Sequence, residues 1–182
     1  MKRVALLALV LMVAVSCEDS PTSPSDPNVA TFTAILLPGN EVPPITNADA
    51  AASGTMQLKL TLTRDAANTI TGATYDFTVN LTGFPASTTL TGAHIHNAAA
   101  GTNAGVVVNL GLAAGEFVLA TGQQSFSKNG ITAAANAAAV AQAIVNNPGG
   151  NYFNVHTTLN TGGAVDLALL LHEQRGDSAH HQ

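Results

Sequence analysis

From Val29 onward the chain alternates apolar and polar residues with a period of two, the spacing of strands that bury one face. Thr31–Leu36 (TFTAIL) reads as a strand, and Pro38-Gly39-Asn40 stops it. Glu41-Val42-Pro43-Pro44 is then held extended, with no ladder donors from its two prolines. Asn47–Ser53 is a loop of small residues. Met56–Thr63 alternates without a break, Arg64–Asn68 is a turn, and Ile70–Leu81 gives a second long strand. The pair predicts an antiparallel hairpin with one wet face. Further strands are predicted over Thr89–His96, Val106–Leu110, Phe117–Thr121, Asn151–Leu159 and Val165–Leu171. So many short strands predict an all-β fold, an antiparallel Greek-key-like sandwich or barrel.

Ile131–Asn147 (ITAAANAAAVAQAIVNN) breaks that period. Its alanines favour helix, Thr132 is placed to cap it, and Val140, Ile144 and Val145 form a narrow apolar stripe. Pro148-Gly149-Gly150 ends it, so one crossover α-helix is expected over about 132–146.

The first residues carry a different pattern. Met1-Lys2-Arg3 precedes an unbroken apolar run from Val4 to Val15, too short for a span of about 20 residues but right for an export signal. Ala14-Val15-Ser16-Cys17 follows and resembles the bacterial lipobox, in which the cysteine is lipidated and begins the mature chain. Ala14 stands where that motif usually has Leu, and Ala-x-Ser also suits an ordinary secretory cut after Ser16. The expected organisation is a signal peptide at 1–16, a lipidated Cys17 with a Pro/Ser/Asp-rich tether to 28, a β domain at 29–173 and a polar tail at 174–182. It places the protein in the bacterial cell envelope, anchored to the membrane by lipid. Glu18 after the cysteine, where Asp would favour inner-membrane retention, favours the outer membrane.

Composition narrows the functions. Only 9% of the 182 residues are charged, against about 25% in ordinary soluble domains. The chain has 32 Ala, 21 Thr, 16 Gly and 15 Asn instead. A net charge of −5 excludes the basic footprint of a nucleic-acid binder. One Cys excludes an intrachain disulfide framework and a Cys-rich zinc site. No nucleophile elbow and no phosphate-binding loop is present, and no catalytic residue is assigned.

Against this weakly charged background the histidines stand out. Gly92-Ala93-His94-Ile95-His96 puts two imidazoles on one face of a strand, about 6–7 Å apart at Cα. The strand Asn151–Leu159 adds His156, with Tyr152 and Asn154 on the same face. If the strands pair, His94, His96 and His156 could meet on one copper or zinc ion. The bland reading is three histidines bracing loops. Glu41, fixed by the prolines beside it, is the carboxylate candidate to join them, or else a turn carboxylate capping backbone amides. His172 is a weaker fourth candidate; His180 and His181 belong to the tail.

Phe32-Thr33-Ala34, Gly39-Asn40-Glu41-Val42-Pro43-Pro44, Ala93-His94-Ile95-His96, Asn147-Pro148-Gly149 and Tyr152-Phe153-Asn154-Val155-His156-Thr157 together resemble the CHRD domain, a module named from chordin. The resemblance spans about Val29 to Leu171 and implies an extracytoplasmic all-β module of largely unassigned function. Asp166 stands where that family usually has Arg, so any anion-binding role of the Arg would be lost or reversed. The His-x-His strand is also similar to the copper-binding strand of copper–zinc superoxide dismutases, whose zinc-loop ligands and disulfide this chain lacks. The leading expectation is a non-catalytic envelope module that binds an extracellular or periplasmic ligand or partner, with Glu41 and Asn154 among its binding residues. The alternative is a copper- or zinc-binding metalloprotein using His94, His96 and His156.

Overall fold

A computed structural model describes residues 26–171. The expected signal peptide, Cys17, most of the tether, His172, His180, His181 and the tail lie outside the described residues.

The long alternating segments form the hairpin. β1 (Val29–Leu36) pairs with β2 (Ser53–Arg64), and β2 with β3 (Ile70–Thr82), all antiparallel. Met56, Leu58, Leu60 and Leu62 point inward from β2 and meet Ala73, Tyr75, Phe77 and Val79 from β3. The Thr, Gln and Lys between them face outward, as period two requires. Asp65 closes the hairpin by accepting the amides of Ala67 and Thr69 on one carboxylate oxygen, both at 2.9 Å.

The chain then crosses to a second sheet. β4 (Thr88–His96) is flanked by β5 (Val106–Asn109) and the two-residue β6 (Val118–Leu119). β7 (Gln124–Ile131) returns to the first sheet beside β3. The helix α1 (Ala137–Asn146) crosses back, and β8 (Tyr152–Thr157) and β9 (Val165–Ala168) complete the second sheet. β10 (Leu170–Leu171) joins the free edge of β1. The orders are β10-β1-β2-β3-β7 and β5-β4-β8-β9, with β6 beside β4. Among the described residues the fold is thus an all-β sandwich of two antiparallel sheets with one α-helix, and neither sheet closes into a barrel. The core lies between them: Phe77 of the first sheet stacks on Phe153 of the second with ring centroids 5.8 Å apart.

Four expectations need correction. The helix begins at Ala137 after a left-handed Asn136, so Thr132 is not its cap. Ile131 belongs instead to β7, paired with Tyr75; residues 132–136 form neither strand nor helix, and the left-handed backbone of Asn136 cannot continue a right-handed helix toward Thr132. β7 itself was not predicted, because Phe126 is its one buried apolar residue. The strand expected over Phe117–Thr121 shrinks to two residues. Val165–Leu171 divides at Leu169, whose side chain is buried and whose amide donates to Asn151 O at 2.9 Å, leaving β9 and β10 in different sheets.

Phe77 is fully buried between aromatic neighbours. Phe77→Ala should lower the unfolding free energy by about 3–5 kcal/mol, measured by urea denaturation. A loss below about 1 kcal/mol would mean that this inter-sheet contact does not anchor the core.

Candidate metal centre

Alternation along β4 divides its residues between two environments. Ala93 and Ile95 are wholly buried in the core, while Gly92, His94 and His96 face outward. β8 divides the same way, with Phe153 and Val155 inward and Tyr152, Asn154 and His156 outward. The register sets Gly92 opposite His156, His94 opposite Asn154 and His96 opposite Tyr152. The His94–Asn154 row continues onto β9, where Asp166 faces Asn154. The outer face of a sandwich sheet is ordinarily wet, yet Glu41, His96, Tyr152, Asn154 and Asp166 are all buried here. Loops cover them.

The three histidines converge. One ligand nitrogen from each of His94, His96 and His156 lies within 4.8 Å of the others. His94 Nδ1 is 3.0 Å from His156 Nε2. The approach depends on Gly92: a Cβ there would stand 2.8 Å from His94 Cε1, so any side chain would push the ring away. His96 stacks on Tyr152 with centroids 4.6 Å apart and planes 5° from parallel.

Hydrogen bonds fix the tautomers. His96 Nδ1 lies 2.9 Å from Ala104 O, and His156 Nδ1 lies 2.8 Å from Thr161 O. Carbonyl oxygens only accept, so each Nδ1 carries the proton and each Nε2 presents a lone pair. Both Nε2 atoms face the Asn154 side-chain amide, at 3.1 and 3.0 Å. The structure sets Oδ1 at that position; an oxygen and a lone pair both only accept, so it is the flipped amide, with Nδ2 toward the rings, that can donate to them. A ring whose Nδ1–H is held by a carbonyl has its Nε2 lone pair fixed in direction, the arrangement that orients imidazole toward a metal.

Electrostatics disfavours the protonated forms of His94 and His156. The His94 pKa is lowered from 6.5 to about 4, first by burial and then by His156 and His96. That of His156 is also lowered, chiefly by burial, against the pull of the Thr161 carbonyl. The carboxylates behave oppositely. Burial, then the charge of Asp166, raises Glu41 to about 8, and burial raises Asp166 to about 6.

Of the residues singled out in the sequence, the fold brings together His94, His96, His156 and Asn154. Glu41 does not join the trio; it packs over Gly163 and near Asp166. Sequence reasoning missed the carbonyls of Ala104 and Thr161, since a backbone atom leaves no trace in residue type. Tyr152 had been placed on the right face, but its stacking on His96 follows only from the strand register.

A family model described as the CHRD domain matches residues 32–166. No curated protein and no solved structure matches the chain.

The lowered His94 pKa has a consequence for stability. Below about pH 6.5 the unfolded chain takes up a proton that folded His94 refuses until about pH 4. His94 therefore costs stability progressively as pH falls through that window, and adds no further loss below it. In metal-free protein, His94→Asn should flatten this part of the stability–pH curve, as followed by denaturant midpoints. An unchanged acid slope would contradict the assignment.

Proposed function

The chain belongs to the CHRD domain family, and from that premise we propose that it is a non-catalytic, envelope-tethered β module that binds one copper or zinc ion through His94, His96 and His156. The carrying observation is the pair of Nε2 lone pairs on His96 and His156, aimed at one point beside His94 by carbonyls that hold their other nitrogens. Three neutral imidazoles suit both metals, and the general order of affinities favours Cu(II) over Zn(II). Tetrahedral ligands at 2.0–2.1 Å stand about 3.3 Å apart, so the trio needs only small side-chain rotations to close from its 4.8 Å limit. His94 and His156 are half-buried, which leaves a bound ion an open position for a further ligand.

The anchor rests on sequence. A basic start, a twelve-residue apolar run and one cysteine at the lipobox position support a lipid anchor, and Glu18 supports the outer membrane. Residues 18–28, rich in Pro and Ser, would separate the anchor from the β domain as a semi-extended tether. The absence of a sequence nucleophile motif supports binding in place of turnover.

Protein prepared without a His tag should retain about one Cu(II) or Zn(II) per chain after loading and dialysis, measured by elemental analysis. His96→Ala should abolish retention. A wild type that retains no stoichiometric metal would sink the proposal. Separately, Cys17→Ser should move the protein from the membrane to the soluble fraction; unchanged fractionation would refute the lipid anchor.

A further inference from the structure

The imidazole trio leaves Glu41 and Asp166 unused. Both are more than nine-tenths buried, at 7% and 3% exposure. Each keeps one oxygen, Oε1 of Glu41 and Oδ1 of Asp166, sealed from solvent without a hydrogen-bond partner. A buried, unpartnered carboxylate oxygen is costly, and native folds rarely keep one without an ion, a proton or a water to satisfy it.

The backbone carries these two groups to the same place. Leu37 and Asp166 exchange hydrogen bonds at 3.2 and 3.4 Å, and Asn40 Nδ2 donates to Asp166 O at 2.9 Å. This fastens the turn bearing Glu41 against β9. Gly163, three residues before Asp166, lies under the Glu41 carboxylate: a Cβ there would stand 2.6 Å from Glu41 Cδ, so only glycine admits it. No basic side chain among the described residues serves as counter-charge. Lys59, Arg64 and Lys128 all belong to the first sheet; Lys128 is paired with Glu116, and Arg64 bonds to Asn28 and Asn68. A cleft of about 400 Å³ between the 41–47 and 159–163 loops reaches Glu41 and gives an ion a way in.

We propose that Glu41 and Asp166 form a second cation site, for a hard divalent ion of the calcium class. Oxygen donors select hard ions, whereas the neighbouring imidazoles select softer ones. Donors on an irregular turn and a strand suit calcium, which accepts variable geometry, better than magnesium, which demands a near-ideal octahedron. With few protein ligands, the affinity expected is that of extracellular modules, Kd of about 0.1–1 mM. The raised carboxyl pKa values agree with an environment that needs a positive partner.

Terbium(III) serves as the luminescent probe for calcium on the full chain, purified without a tag and stripped of metal. The chain has two Tyr and no Trp. Tyr152, whose phenol is pushed up by burial and by the charges of Asp166 and Glu41, is positioned to sensitise the ion; Tyr75 lies in the core. Saturable emission excited through tyrosine, competed by millimolar Ca2+, is expected. It should fall at least about tenfold in both Glu41→Gln and Asp166→Asn and survive His96→Ala, which distinguishes this site from the imidazole centre. Both carboxyl substitutions are nearly isosteric, and a thermal midpoint at or above that of the metal-free wild type will show that they fold. About 10 mM Ca2+ should also raise the wild-type midpoint by a few degrees. Absent emission, emission unchanged in both carboxyl variants, or emission lost with His96→Ala would overturn the proposal. So would a midpoint insensitive to calcium in wild type but raised by Glu41→Gln at pH 8, which would show that a proton neutralises the pair.

Discussion

The pairing of β4 with β8 is the constraint on which the candidate site depends. In that ladder Gly92 faces His156, His94 faces Asn154 and His96 faces Tyr152. A slip of one residue along either strand would exchange its polar and apolar faces, sending His94 and His96 or Asn154 and His156 into the core. The register is held from the other side by Ala93, Ile95, Phe153 and Val155, all fully buried. Packing of the apolar face thus fixes the geometry of the polar one. The same alternation that makes the sandwich stable also aligns the donors.

The second feature is that this polar face is itself covered. Loops from three parts of the chain supply the groups that satisfy it: the carbonyl of Ala104 for His96, the carbonyl of Thr161 for His156, and the Asn40 amide for the backbone of Asp166. A separate buried network joins Asp49 to Thr157 and Asn160 at 2.8 and 2.6 Å and fastens the 47–52 segment to the loop after β8. Each such contact offsets the cost of removing polar groups from water. Glu41 Oε1 and Asp166 Oδ1 are the places near the imidazoles where that satisfaction is incomplete. Incomplete satisfaction in a cluster otherwise well paired is what distinguishes a site from a scaffold.

The strands that could be read from the sequence were those whose burial is one-sided and continuous. β2 and β3 each carry five inward positions in strict alternation, Gly54 to Leu62 and Ala73 to Leu81, so period two is unmistakable. β7 escaped because an edge strand with one buried aromatic has no period to read; it is defined by the hydrogen bonds that β3 leaves open. The helix start was misplaced because alanine content does not reveal the left-handed backbone of Asn136, which separates the irregular 132–136 stretch from the helix. Leu169 broke a plausible single strand because its side chain fills the core at the point where the chain passes between sheets.

The candidate site divides along the same line. The sequence by itself determined that His94 and His96 share a face, that His156 shares one with Asn154 and Tyr152, and that few charged groups compete with them. These are consequences of a period of two and of composition. Whether the two faces are the same face depended on which strands pair and in what register, and that is decided by long-range packing. Glu41 illustrates the limit. Its prolines marked it as a fixed residue, but only tertiary structure could set it over Gly163 and near Asp166, because those neighbours lie more than 120 residues along the chain.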